Sequence, residues 1–309
     1  VIKIVGSGMA GLLAANLLRR MQPVVHEAQG VLPNNHSALL RFRSDVCARA
    51  TGIPFKKVLV HKAVCTDGKL LDRTNLAINN QYSVKVTGKV LDRSIINLEP
   101  GERFIAPPDF ISQMSHSVQI VYGSPFTAGE LSARTPDSTP LISTMPMPAL
   151  MDMAEWKAPP IFLSRPVWAV TGRIDDCDVY QTVYYPQETF PAYRASITGN
   201  LLTVETMTEP KAHPHSLVNE VLHTLGINQG CYDIEVKCQK YGKLTPLSDP
   251  SIARRFVLYM TDRYRVYSVG RFALWRQLLL DDVCHDIGVV EKLVDNREGY
   301  SGQLIKAKI

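Results

Sequence analysis

The feature that most restricts the fold of this 309-residue chain stands at its start: Gly6-Ser7-Gly8-Met9-Ala10-Gly11, set between an apolar run at 1–5 and an apolar-rich stretch at 12–21. The first run is dominated by β-branched side chains and predicts a strand, and the second predicts a helix stopped by Gln22-Pro23. A second strand is predicted at 24–27, ending on Glu27, 21 residues beyond Gly6. A strand, a glycine turn, a helix and a strand closed by an acid at about 20 residues make a dinucleotide-binding βαβ unit. Gly6 then permits the tight turn, Gly8 lets a pyrophosphate approach the backbone, and Gly11 lets the helix pack closely on the strands. The helix N-terminus, with Ser7, Met9 and Ala10 in the turn, offers N–H groups and partial positive charge to phosphates. Glu27 accepts from ribose hydroxyls, which disfavours a 2′-phosphate. The fingerprint by itself leaves FAD and NAD both open.

Beyond this unit, Arg41 and Arg43 flank Phe42 and share one side of an extended strand, as a solvated edge or as phosphate or substrate contacts. Residues 45–103 mix short helical and strand-like signals with Gly and Asn punctuation and read as an excursion from the first unit. A helix is predicted at 109–115, a strand at 118–122, and a buried strand at 140–148 stopped by prolines. Strand candidates then succeed one another at 166–171, 179–185, 194–198 and 201–206, with Gly199-Asn200 as a turn, which predicts an antiparallel sheet. His213-Pro214-His215 reads as a loop, 216–225 as a helix and 234–239 as a strand. A last strand at 265–269 runs into Gly270-Arg271-Phe272-Ala273-Leu274-Trp275-Arg276, and 278–293 reads largely as a helix, so a second helix start follows a glycine break.

Together these pieces resemble the flavoprotein superfamily that includes amine oxidases, protoporphyrinogen oxidases and UDP-galactopyranose mutases. The glycine turn with Glu27 is similar to that superfamily's FAD pyrophosphate and ribose site. Residues 141–146 resemble its strand leading into the substrate domain, and 269–282 its late motif at the flavin ring and pyrophosphate. The resemblance implies FAD as cofactor, with Gly270, Arg271 and Trp275 added to its contacts. The superfamily's glycine- and arginine-rich stretch after the acid is reduced here to Gly30, which leaves its work to Arg41 or Arg43. The implied fold class is α/β: a Rossmann-like, discontinuous FAD-binding domain (1–44, 105–148 and 247–309) with an inserted antiparallel-sheet substrate domain (45–104 and 149–246), and the active site between them. Lys243 resembles a position near the flavin, with a solvated surface lysine as its alternative.

The implied activity is oxidation of a carbon–nitrogen bond followed by imine hydrolysis. The alternatives are a sugar-nucleotide mutase using reduced flavin, or a flavin- or nucleic-acid-binding module without turnover. Only one dinucleotide fingerprint is present, which argues against a dedicated NAD(P)H domain. Beside Lys243, the catalytic candidates are Arg194 and Tyr185, within a group that includes Arg173, Tyr184 and Tyr193, because arginine and tyrosine recognise anions and planar rings. Each tyrosine has plain packing as its alternative. The compact, basic chain also resembles the small flavin-dependent lyases with which bacterial viruses trim amino acids attached to modified thymine. That resemblance implies DNA carrying a modified base as partner, in place of a small-molecule amine. The net charge of +5 suits a polyanion or an ordinary solvated surface.

The six cysteines contain no CxxC pair, which argues against a zinc site or a disulfide framework and fits a reducing cytoplasm, the host's if the chain is viral. No apolar run approaches the roughly 20 residues of a membrane span, and no leader precedes the glycine motif, so a soluble chain without membrane contact is expected. Asp281, Asp282, His285 and Asp286 invite a metal reading, but acids at a helix start are accounted for by its dipole, and no metal is expected.

Overall fold

Short apolar runs with glycine turns near both ends of the chain, and long alternating strands in its middle, build two different sheets. The computed structural model describes residues 1–32, 41–91, 95–210 and 214–295. Strand β1 (Ile2–Val5) enters helix α1 (Met9–Leu17) through the glycine turn, and a 3-10 turn at Arg19–Met21 leads into β2 (Pro23–His26). The helix begins earlier than the apolar pattern suggests because Gly8 is already its N-cap. A first excursion carries β3 (Arg41–Phe42), α2 (Val46–Thr51), β4 (Lys56–Thr66), β5 (Lys69–Leu71), α3 (Leu76–Thr87) and β6 (Gly101–Ile105). The chain returns through α4 (Phe110–His116), β7 (Gln119–Val121), α5 (Ala128–Ser132), β8 (Leu141–Ser143) and α6 (Met147–Met153). A second excursion holds β9 (Ser164–Ile174), β10 (Val179–Tyr184), β11 (Ala192–Gly199), β12 (Leu201–Thr206), α7 (Pro214–Thr224) and β13 (Cys231–Leu244). Helix α8 (Pro250–Tyr264), β14 (Val266–Ser268) and α9 (Leu280–Asp295) close the fold.

The first sheet has five strands in the order β14-β8-β1-β2-β7, and every pair in it is parallel. Strands β1, β8 and β14 are buried on both faces, and their side chains alternate between two cores. Ile142 and Tyr267 join the core under α1, α4 and α9, whereas their neighbours Leu141 and Val266 join the core under α6 and α8. The second sheet has nine strands, in the order β13-β9-β12-β11-β10-β4-β6-β3 with β5 on β4. Helix α7 covers one face through Leu217, Val218, Val221 and Leu222, and α3 covers part of the other through Tyr82 and Val86. The arrangement is the expected Rossmann-like unit with an inserted sheet domain.

Four local expectations are corrected. The sheet is mixed, because β10 pairs with β4 in parallel across the two excursions. The strand foreseen over 140–148 stops at Ser143, since Pro148 sits in the first turn of α6, where its missing N–H costs no hydrogen bond. Strand β13 runs far beyond 234–239, because bulges at 232–235 and 239–243 interrupt its alternation without ending it. Of the loop expected at 213–215, His213 lies outside the described residues, whereas Pro214 and His215 open α7, where proline is tolerated in the first turn. Among those described, no helix is long and apolar enough to cross a membrane.

Candidate functional site

The first and last parts of the chain meet around a cavity of about 550 Å³ at the carboxyl ends of the parallel strands, where open α/β sheets place their ligands. Gly6, Gly8, Met9 and Ala10 line it from the glycine turn, Glu27 from the end of β2, and Gly270, Arg271 and Phe272 from the loop after β14. Gly6 adopts φ +94° and donates its N–H to the His26 carbonyl at 2.9 Å. A β-carbon on Gly11 would run into the Gly6 carbonyl oxygen, so that glycine serves close packing of helix on turn. A β-carbon on Gly8 would meet nothing within 4 Å and would point into open space. Gly270, at φ +95°, lies where a β-carbon would come within 2.8 Å of the Ala10 methyl, which fixes the late loop against the start of α1.

Glu27 is 6% exposed and accepts from the Ser7 N–H at 2.9 Å, the Ser7 hydroxyl at 2.6 Å and the Gln29 N–H at 2.9 Å. Burial pushes its carboxyl up, but the Ser7 hydroxyl and the N–H groups of Gln29, Ser7 and Ala28 outweigh that and hold it below the usual carboxylate range. An ionised carboxylate has about four acceptor sites, so with three donors in place Glu27 keeps room for one ribose hydroxyl. The N-terminus of α1 carries no side-chain cap, so its N–H groups remain available to an anion. The Arg271 guanidinium donates to the Tyr241 and Gly242 carbonyls at 3.2 and 3.1 Å, while its buried Nε has no hydrogen-bond partner. An acceptor for ribose, open N–H groups for a pyrophosphate and an orphaned donor at the far end together fit an extended dinucleotide.

From Arg271, strand β13 leads directly to a charged cluster on the second sheet. The Lys243 ammonium lies 5.0 Å from the centre of the Tyr193 ring. Tyr193 donates to Glu205 Oε1 at 2.9 Å, and Arg194 Nε donates to Glu205 Oε2. Burial would keep Glu205 neutral, but Arg194, Lys243 and the Tyr193 hydroxyl pull its pKa below the ordinary carboxylate value. The same burial, together with the Glu205 charge, pushes the Tyr193 hydroxyl far up, so it remains a donor. The cluster presents fixed positive charge from Arg194 and Lys243 around one buried carboxylate, an environment suited to an anionic or polar ligand group.

Of the residues singled out in the sequence, Gly6, Gly8, Met9, Ala10, Glu27, Gly270 and Arg271 line one cavity, with Ser7 held on Glu27 and Gly11 packed beneath. Arg194 and Lys243 meet at Glu205. Four others lie elsewhere. Arg41 turns away from the turn region and donates to Thr182 and Thr198 hydroxyls and the Ile197 carbonyl, each at 2.7 Å, because β3 belongs to the second sheet. Burial and the nearby Arg194 lower its pKa to about 10. Arg43 is exposed, with its backbone N–H on Asp281. Trp275 packs on Phe162 with ring centres 4.8 Å apart and donates its indole N–H to the Thr245 carbonyl. Tyr185 stacks on Phe190 at 4.4 Å in the core under α7, since strand alternation turns its neighbour Tyr184, opposite Arg194, to the cluster side.

Sequence reading missed Glu205 and Thr144. A lone acid inside the strand Leu201–Thr206, whose other residues are Leu, Val and Thr, was the available signal for the first. Thr144, whose hydroxyl donates to the Val5 carbonyl at 2.8 Å against Gly6, follows a strand end and had no distinguishing pattern. Two of the four polar residues near α9 answer local needs: Asp281 accepts from the Ser44 N–H and hydroxyl, and Asp282 caps the Leu279 N–H.

No protein-family profile and no curated protein sequence matches this chain. Solved structures do resemble it. A reduced UDP-galactopyranose mutase superposes with a TM-score of 0.71 at 14% identity, covering 99% of this chain and 98% of its own. A putative protoporphyrinogen oxidase from Exiguobacterium reaches 0.59 at 10% identity, over 96% and 99% of the two chains. A p-nitrophenol 4-monooxygenase from Pseudomonas putida reaches 0.54 at 10% identity, over 98% and 82%. The first two carry names from the superfamily reached through the sequence motifs, and at these identities the likeness is one of fold.

Proposed function

We propose, from the fold shared with these proteins and the cavity at Gly6, Glu27 and Arg271, that the chain is an FAD-dependent enzyme acting on a carbon–nitrogen bond. The observation that carries the cofactor assignment is the space beyond Gly8 in front of an uncapped helix start, with Glu27 at one end and the orphaned Arg271 Nε at the other. FAD, when bound, supplies a two-electron hydride acceptor. The glycine turn and the α1 N-terminus would hold its pyrophosphate, Glu27 its ribose, and Arg271 a polar edge of the ring system. Lys243, next to the Gly242 carbonyl that Arg271 holds, and Arg194 and Glu205, on β11 and β12 of the same sheet, orient the substrate. The carbon bearing nitrogen would give a hydride to the flavin and its nitrogen a proton to solvent. The resulting imine would take up water and release a carbonyl compound and a free amine, and dioxygen would reoxidise the flavin.

The substrate we propose is an amino-acid-substituted thymine in DNA, with a free amine as the simpler case. Basic residues exceed acidic ones by 34 to 29, and Lys237 and Lys240 lie exposed on the outer strand β13, which continues to Lys243. Contacts of that kind with phosphates make activity fall steeply as salt rises. The test is incubation of the purified protein with DNA carrying glycine-conjugated thymine and, separately, with a panel of amines, followed by mass spectrometry of the products. Flavin released on denaturation and an aminomethyl base in the digest are expected. Recovery of NAD without flavin would overturn the cofactor, and intact conjugate beside rapid turnover of a free amine would overturn the DNA substrate. A mutase reading is favoured by the TM-score of 0.71 to a reduced UDP-galactopyranose mutase. It requires a sugar nucleotide to be isomerised only after the flavin has been reduced.

A further inference from the structure

On the other side of the α9 start from the dinucleotide cavity, a second cavity of about 690 Å³ opens between α8, β14 and α9. Nothing in the proposed chemistry uses it. Two side-chain oxygens that line it, Ser268 Oγ and Asp286 Oδ2, are buried without a hydrogen-bond partner, and Ser268 is only 7% exposed. The neighbouring acids are already engaged, Asp281 by Ser44 and Asp282 by the Leu279 N–H, so Asp286 is the acceptor left over. Arg276 lines the same cavity, near enough to Asp286 to affect its ionisation, yet no ion pair joins the two. The remaining wall is aliphatic, with Val257, Val289 and Leu278 among its side chains.

A buried carboxyl oxygen and a buried hydroxyl without partners are costly to leave unmet, and the nearby half-buried guanidinium makes no ion pair with that carboxyl. A ligand carrying an ammonium and a carboxylate on one carbon answers both, and an apolar side chain on it covers the aliphatic wall. We infer that this groove binds a free zwitterionic α-amino acid with an apolar side chain, its ammonium on Asp286 and Ser268 and its carboxylate on Arg276. The site lies apart from the cradle and does not depend on the identity of the substrate there.

The experiment is calorimetric titration of the purified holoprotein with L-leucine, with 3-methylbutylamine, which lacks the carboxylate, and with 4-methylpentanoate, which lacks the ammonium. Leucine is expected to bind saturably and each single-charge analogue at least about tenfold more weakly. Asp286→Asn and Arg276→Gln should each weaken leucine by a similar factor with flavin content unchanged. Where Asp286→Asn fails to fold, Arg276, on the half-buried wall, carries the test alone. Absence of saturable binding up to about 10 mM overturns the site. Amine binding as tight as that of leucine overturns the zwitterion, and so does wild-type affinity in both variants. Loss of leucine binding in Glu205→Gln would place the amino acid at the charged cluster and overturn the assignment to this groove.

Discussion

Gly8 and Gly11 stand three residues apart and answer to different constraints. Gly8 has an extended backbone, φ −64° and ψ 176°, that any residue adopts, and an added methyl meets no protein atom. Gly8→Ala is therefore expected to cost stability no more than about 1 kcal/mol, the loss of a glycine N-cap, while dinucleotide affinity falls at least about tenfold. In Gly11→Ala the methyl strikes the Gly6 carbonyl, and the fold itself loses about 1–3 kcal/mol. Thermal melts paired with flavin titrations separate the two, and tight flavin binding by Gly8→Ala would remove the pyrophosphate from that spot. Glu27 gives a pH test. Its folded pKa lies below the unfolded value of 4.5, so its stabilising contribution is complete above that value and is lost as pH falls through the folded pKa. Melting temperatures of wild type and Glu27→Gln should accordingly converge on acidification below about pH 4.5 and differ at neutral pH; a constant gap across that range would contradict it. These roles were legible in the sequence because they depend on spacings within one βαβ unit. The engagement of Arg41 with Thr198, 157 positions away, and the choice of Tyr184 over Tyr185 depend on register between distant strands, which local pattern does not carry.

At the scale of elements, one side chain gathers the carbonyls of the loop from β10 to β11, which is also held by Gln187 on Asp67. Lys85, near the end of α3, places its ammonium 2.6–2.8 Å from the carbonyls of Tyr185, Gln187, Phe190 and Ala192. An ammonium has three protons for these four acceptors and substitutes for a strand pairing that the loop lacks. Lys85→Met retains the aliphatic stem but strands the carbonyls, and a loss of about 2–4 kcal/mol is expected in urea unfolding. Lys85→Arg should not rescue it, because a planar fork cannot converge on four oxygens around a point; restoration by arginine would show that charge alone suffices. Strands with clean alternation and turn residues were legible, as Leu201–Thr206 and its Gly199-Asn200 turn illustrate. Helix α8 was readable but overlooked. Asp249 caps it onto the Ser251 N–H, Pro250 opens it, and Phe256 and Met260 repeat at one-turn spacing. The bulged ends of β13 were not readable, since a bulge inverts the alternation that announces a strand.

Across the whole molecule, the two units are tied by Asp281 on Ser44 and by Arg271 on the carbonyls of β13. Arg271 is the tie that faces the cavity, so Arg271→Ala is expected to lower flavin affinity or turnover at least about tenfold while far-UV circular dichroism stays native. Wild-type kinetics would make it a purely structural clasp. The division into a nucleotide unit and a sheet unit was legible from the change in pattern after residue 160, but the parallel β4–β10 contact that fuses the two excursions was not, because its partners are more than 100 residues apart. The closure of Gly270 onto Ala10 has a consequence in time. A growing chain exposes the glycine turn and Glu27 first and reaches Gly270 only after roughly 240 more residues, about 12–50 s later at ordinary rates of synthesis. Until then the half-built cradle has no opposite wall, so cofactor capture belongs to the end of synthesis, and a nascent chain must shield its first strands without help from the ligand that later covers them.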